Sequence, residues 1–409
     1  MSGGSITNGW VGLRTDLYLA ASGDFRTDVA PLAAAVSTRG TLWRSPLTYA
    51  YLVLLAAILV VATVLCLPLE GVWPFVAWVV ALAVVGWLAR QRGRIAATAL
   101  DRALFRGAEL HRLNPNTDHV LCSTDLLAPE PVWFSGRFVY SHRLGWGVPA
   151  GMSLARAVQI SACPAGSFAP APLPIVAHRF GLAGAGDDPV SQLLLTDGAS
   201  SDNLGIEWPL RLEALARSGG APDPPPRAID ELVVVSGAGS VRSPGARRPF
   251  SLPIVGEVAS LLAVKDALTA QAAAMGGRLL ATRFVAARAG YGAGVGGGGA
   301  RAGSALDGGL VQLDRSPYEL PRAFASGSDE RARRSRAALD LLSPGEERAW
   351  KADVEANGAL GSAFARIPAE RAARLLRHAY VLTMVNMHVV RDYPLLPVPS
   401  VADFEKLVG

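Results

Sequence analysis

The chain is 409 residues long and half hydrophobic, with 39 basic residues against 34 acidic ones and a net charge of +5. That length and apolar content support one large domain or two medium ones around a sizeable core. The basic excess is scattered, and no zinc finger, basic amphipathic repeat or aromatic stacking motif accompanies it, so nucleic acid is not an expected partner.

The chain opens with "MSGGSITNGW", a Ser-Gly-Gly turn of the kind that presents a nucleophilic serine between a strand and a helix in hydrolases. The following "ITNGWVGLRTDLYLAAS" can begin as a helix. Mean hydropathy is +0.28, and most of the excess lies in residues 47–69 and 72–89, which contain no Lys, Arg, Asp or Glu. At about 1.5 Å per residue, roughly 20 residues cross a hydrocarbon core of about 30 Å, so two membrane spans are expected. Glu70 and Gly71 between them predict a tight hairpin with both ends on one side. Arg39 and Arg44 precede it and Arg90, Arg92 and Arg94 follow it, which predicts a cytoplasmic location for the remainder. A helical hairpin buried in a soluble core is the competing reading. Residues 1–40 hold no apolar signal-like run.

"RIAATALDRALFRGAEL" (94–110) reads as an amphipathic helix. Beyond it, "HVLCSTDL" reads as a strand, "PVWFSGRFVYSH" as a strand or hairpin, and "SLARAVQISAC" as a helix ending at Pro164. "SQLLLTDGASSDNLGIEWPLRLEALARSG" predicts a buried strand, a Gly-containing turn and a helix. "AIDELVVVSGAG" suits a central parallel strand, and strands alternating with helices predict an α/β layered domain. The stretch 251–290 reads as mostly helical. The Gly-rich run from Gly290 to Gly309 reads as a flexible loop. "IPAERAARLLRHAYVLTMVNMHV" predicts a helix covering the sheet. The basic run Glu330 to Arg336 suits a solvated helix face, with contact to anionic lipid headgroups as the alternative.

Cys66, Cys122 and Cys163 have no metal-like spacing and read as reduced thiols. The six histidines pair with no serine motif and read as surface or packing residues. Neither a metal nor a cofactor is expected. Chemistry concentrates instead in "LLLTDGASSDNLGIEW", where a buried strand delivers Asp197 to a turn made by Gly198, at the strand end where open α/β sheets place ligand chemistry.

Together, "TDGASSDNLG", the upstream "AVQISACPAGSFAP" with Ser161, Ala162, Pro164, Phe168 and Pro170 in place, "CSTDLLAPEPVWFS", the opening "SGGSITNG" and "IPAERAARLLRHAY" resemble, in content and order, the motifs of the patatin-like phospholipases, bacterial type. The resemblance spans residues 2–16, 117–240 and, more weakly, 360–385. It implies a patatin-like α/β layered fold with a central mostly parallel sheet and an inserted two-helix transmembrane hairpin. The expected parts are the nucleophile turn and helix (1–40), the hairpin (47–89), the main domain (94–288), the Gly-rich loop (289–330) and a C-terminal helical part (331–409). It implies a lipid acyl hydrolase with a Ser-Asp dyad, Ser2 as nucleophile and Asp197 as general base, supported at the oxyanion and turn by Gly3, Gly4 and Gly198. The implied partners are a membrane lipid substrate, a phospholipid or another acyl ester, and the bilayer itself.

In the family the nucleophile elbow carries a glycine two residues before the serine, a place that here falls before Met1. The family's upstream oxyanion loop has no counterpart ahead of Ser2. Losing one oxyanion donor typically costs about 2.7 to 4 kcal/mol, so the chain as written is expected to be poorly active. Two readings follow. Either the start lies upstream of Met1, or the chain is a catalytically inactive membrane-anchored scaffold or lipid-binding protein. Acyl transfer to an acceptor other than water is a third.

Overall fold

A computed structural model of the chain describes residues 3–38, 40, 45–162, 168–181, 191–217, 221–226, 229, 231–237, 264, 267, 270–284, 307–358 and 367–408. The chain divides into two compact units, residues 1–201 with 362–368 and 409, and residues 202–361 with 369–408.

In the first unit, helices α1 (Gly3–Arg14) and α2 (Ser22–Thr38) precede the apolar pair α3 (Pro46–Cys66) and α4 (Trp73–Ala89). Then come α5 (Arg92–Leu100), β1 (Leu121–Asp125), β2 (Glu130–Phe134), β3 (Val139–Ser141), β4 (Gly145–Gly147), α6 (Leu154–Ala162), β5 (Ala171–Pro174), α7 (Ile175–His178) and β6 (Gln192–Asp197). The six strands form one sheet in the order β4-β3-β2-β1-β6-β5, and every neighbouring pair is antiparallel.

This corrects the expectation of a central, mostly parallel sheet in an α/β patatin-like layered fold. The connections 126–129, 135–138 and 142–144 are too short for the crossover of a dozen or more residues that parallel neighbours need, so β1 to β4 can only meander. The sheet also curls. The Val148 N–H donates to the His178 carbonyl and the Gly181 N–H to the Trp146 carbonyl, both at 2.8 Å, so the chain beyond β5 lies along the edge strand β4. Curling hides both faces of β1 and β2, in which nearly every residue is buried. The core packs Leu121, Phe134 and Leu193 of the sheet with Leu100 of α5, Leu154 and Val158 of α6 and Ile6 of α1.

The hairpin is where the sequence places it. Two helical segments, Pro46–Cys66 and Trp73–Phe105, the second spanning α4 and α5, are long and apolar enough to cross a membrane, with hydropathies of 2.6 and 1.6. Their large apolar side chains are exposed, among them Val60, Leu65, Phe75 and Val80. Only the small residues Ala62 and Ala81 are buried within α3 and α4. A hairpin serving as a soluble core would show the opposite pattern. Arg39 and Arg44 lie outside the described residues.

The second unit holds α8 (Glu207–Arg217) and β7 (Glu231–Ser236), a helix over 270–284 that we label α9, and β8 (Asp307–Gln312). Helices α10 (Glu319–Phe324), α11 (Glu330–Leu341), α12 (Glu347–Gly358), α13 (Ala369–Arg391) and α14 (Val401–Val408) complete it. Strand β7 is parallel as expected but not central. It pairs with β8 in a two-stranded sheet, with Leu232 opposite Gly308. The end of the Gly-rich run, read as loop, is therefore strand. A Cβ at Gly308 would collide with the Leu232 carbonyl. Residues 290–306 of that run lie outside the described residues. The C-terminal helix α13 packs on β8, and Arg391 at its end pairs with Glu231 and Asp307 at the strand starts.

Candidate active site

Strand β6 carries Asp197 to its C-terminal end, where the residue is 5% exposed. Ser123 of β1 stands opposite it in the ladder. Several bonds fix the turn that follows. The Asp197 Oδ1 accepts from the Ala199 N–H at 2.9 Å, and its backbone carbonyl accepts from the Thr124 hydroxyl at 3.1 Å. The Thr124 Oγ1 also lies 2.8 Å from the Ser201 Oγ. An aspartate that caps its own turn is held in one rotamer.

Gly198 begins a single 3-10 turn, Gly198–Ser200. A Cβ there would come within 2.6 Å of the Cys122 carbonyl oxygen, which is backbone and cannot yield. The Asp-Gly pair thus reflects close approach between the turn and β1. Asp125, at the other end of β1, is 2% exposed, and its Oδ1 accepts from the Leu127 and Leu194 N–H groups at 3.1 Å. It staples the β1 hairpin tip to β6.

Helix α1 begins at Gly3, so Gly3 and Gly4 form its first turn, and both are exposed. Ser2 lies outside the described residues and joins Gly3 through one peptide bond. The first N–H groups of a helix have no intrahelical acceptor and sit at the positive end of the dipole. They are therefore suited to a developing oxyanion. The far side of α1 is anchored: the Asn8 Nδ2 donates to the Val120 carbonyl at 2.8 Å, and its Oδ1 meets the His119 Nδ1 at 2.8 Å. Burial pushes the His119 pKa down, with the nearby Asp118 opposing.

The sequence-read motif around Ser161 meets α1 directly. Ser161, 3% exposed near the end of α6, hydrogen-bonds through its Oγ to the Ser5 Oγ at 2.8 Å. Helix α6 packs against both β1 and β6, so it touches the strand that ends at Asp197 and the helix that follows Ser2. Phe168 of the same motif packs on Ala96 and Ala99. Cys163 and Pro164 lie outside the described residues.

Thr124, Asp125 and Asn8 lie in quoted motifs, but sequence reasoning gave them no positioning role, because the partners they bond are brought near only by folding. His119, His178 and His378 are buried and bond amides or carbonyls. Among the described residues no group of three or more His, Cys, Asp or Glu gathers as a metal site. Comparisons with family models, curated proteins and solved structures find no match for this chain, so the site is read from its own chemistry.

Proposed function

We propose that the chain is a membrane-anchored, patatin-like lipid acyl hydrolase in which Ser2 is the nucleophile and Asp197 the general base. A neutral serine hydroxyl is a weak nucleophile and needs a base within about 2.6 to 3.2 Å. In this reading Asp197 takes the Ser2 proton as the Oγ attacks an ester carbonyl, and the Gly3 N–H, with the α1 dipole behind it, stabilises the oxyanion. Collapse of the tetrahedral adduct releases the alcohol, which regains the proton from Asp197. Water, deprotonated by Asp197, then attacks the acyl carbonyl, and collapse of that adduct breaks the bond to Ser2, whose Oγ regains the proton from Asp197 as the fatty acid leaves.

The observation that carries this reading is the Ser5 to Ser161 bond, which fixes the first turn of α1 to the helix that packs against β6. The arginines after α4, set against a turn that holds Glu70 and no basic residue, support a cytoplasmic location for the chain on either side of the hairpin.

A second reading, an inactive patatin-like scaffold or lipid-binding protein at the membrane, rests on the openness of that first turn. Among the described residues nothing lies within 4 Å of where a Cβ on Gly3 would sit, so nothing described there packs over the turn. The test is fatty-acid release from phospholipid by the purified chain in detergent. Release abolished by both Ser2→Ala and Asp197→Asn supports the hydrolase, and no release from the parent supports the scaffold.

A further inference from the structure

Helix α4 ends at Ala89, the limit of its apolar stretch, and the two-residue turn Arg90-Gln91 joins it to α5. Helix α4 is exposed and apolar, whereas α5 is largely buried in the first unit. At the junction stand Arg90 and Arg94, both exposed, and Arg92, half-buried. Arg94 lies five residues beyond Ala89, the last residue of α4, or about 7.5 Å along the axis. That is the depth of a phospholipid headgroup layer. On the neighbouring helix, the Tyr51 hydroxyl donates to the Leu88 carbonyl at 3.2 Å and closes the same end of the hairpin.

A fourth arginine reaches this level from a distant part of the sequence. Gly93 sits where a Cβ would come within 3.3 Å of the Gln159 Nε2 and 3.5 Å of the Arg156 Nη1. The missing side chain lets α6 pack close to α5 and brings Arg156 beside Gly93, which lies between Arg92 and Arg94 in the sequence. The Arg156 Nη1 donates to the Gln159 Oε1 at 2.5 Å, which orients the guanidinium.

Three of these arginines differ from several others in the chain in their ion pairing. Arg137, Arg211, Arg315, Arg374 and Arg377 each have a carboxylate partner. Among the described residues Arg90, Arg92 and Arg94 have none, and Arg92 donates only to the Ala89 carbonyl. The run at 330–336 is occupied otherwise: Arg333 pairs with Glu330, Arg334 with Asp392, Arg331 stacks on Phe324, and Arg336 donates to the Ala325 and Gly327 carbonyls.

We propose that Arg90, Arg92, Arg94 and Arg156 form a binding site for the phosphate of an anionic phospholipid in the leaflet where α4 leaves the membrane. Guanidinium groups match phosphate oxygens in a bidentate manner, and the exposed hairpin beside them contacts the acyl chains of the same lipid. Arg156 and Ser161 are five residues apart on α6, about 7.5 Å along its axis, so a lipid held here lies beside the helix that fixes the start of α1.

The test is native mass spectrometry of the full chain in non-ionic detergent, offered phosphatidylglycerol and phosphatidylcholine with identical acyl chains. The parent is expected to retain phosphatidylglycerol preferentially, and each Arg→Gln change to lower that preference about five-fold. Arg90→Gln combined with Arg94→Gln, both at exposed positions, gives a double variant that leaves the buried packing of α5 intact. Asp197→Asn is expected to retain lipid as the parent does, which separates this site from the dyad. Equal retention of the two lipids by the parent, an unchanged preference in the double variant, or displacement of phosphatidylglycerol by an equal concentration of inorganic phosphate would overturn the proposal.

Discussion

The Ser5 and Ser161 hydroxyls meet at 2.8 Å across 156 residues of sequence. Because Ser161 is buried, removing the Ser5 hydroxyl strands a polar group and is expected to cost about 1 to 3 kcal/mol. Removing both is expected to cost less than the sum of the single changes, with a coupling of about 1 kcal/mol. Denaturant unfolding of Ser5→Ala, Ser161→Ala and the double variant measures it. Strict additivity would show that the two helices are positioned by other contacts.

Gly198 and Gly3 make opposite predictions. Gly198→Ala drives a Cβ to 2.6 Å from a backbone oxygen and is expected to destabilise by about 1 to 3 kcal/mol, as overpacking does. It should also displace Asp197. Gly3→Ala meets open space and keeps its backbone N–H, so its stability should stay within about 0.5 kcal/mol of the parent. Thermal melts of the two variants give the comparison.

His378 links stability to pH. It is fully buried: its Nε2 meets the Arg315 carbonyl at 2.9 Å and its Nδ1 the Asn357 amide at 3.0 Å. Burial lowers its pKa, against the opposing Arg315 carbonyl and the Asp353 charge. The unfolded chain therefore binds the proton more readily than the folded one. Stability from this group is complete above the unfolded pKa, about 6.5, and declines as pH falls below it. Melting temperatures between pH 7.5 and 5 should fall less steeply in His378→Gln than in the parent, and parallel slopes would contradict the assignment.

Orientation has its own test. In a background with Cys66, Cys122 and Cys163 changed to serine, Glu70→Cys should react with a membrane-impermeant maleimide from the non-cytoplasmic side. Leu127→Cys, at an exposed β1 turn, should react only after the membrane is opened. The reverse pattern would invert the topology.

The hairpin and the strand end at Asp197 are legible in the sequence because each is local. One is two runs without a charge, and the other is an apolar run closed by Asp-Gly. Strand direction is not local. The nearly continuous burial of β2 comes from a sheet curled on itself, and its antiparallel pairing with β3 is the hairpin that "PVWFSGRFVYSH" offers. The Val-rich β7 does have a parallel neighbour, but Val233 and Val235 are exposed, so its apolar run covers one face only. Strand β8 was hidden because its Gly308 and Gly309 belong, by composition, to the Gly-rich run. Ser161, Ser5 and Thr124 all lie in quoted motifs, but the partners that give them roles, Ser161 for Ser5 and Ser201 for Thr124, are supplied only by folding.

The dyad itself is tested most directly by labelling the full chain with a fluorophosphonate and mapping the adduct by peptide mass spectrometry. The account predicts modification at Ser2, lost in Asp197→Asn while the melting temperature stays close to that of the parent. An adduct on another serine, or equal labelling of Ser2 in Asp197→Asn, would contradict it.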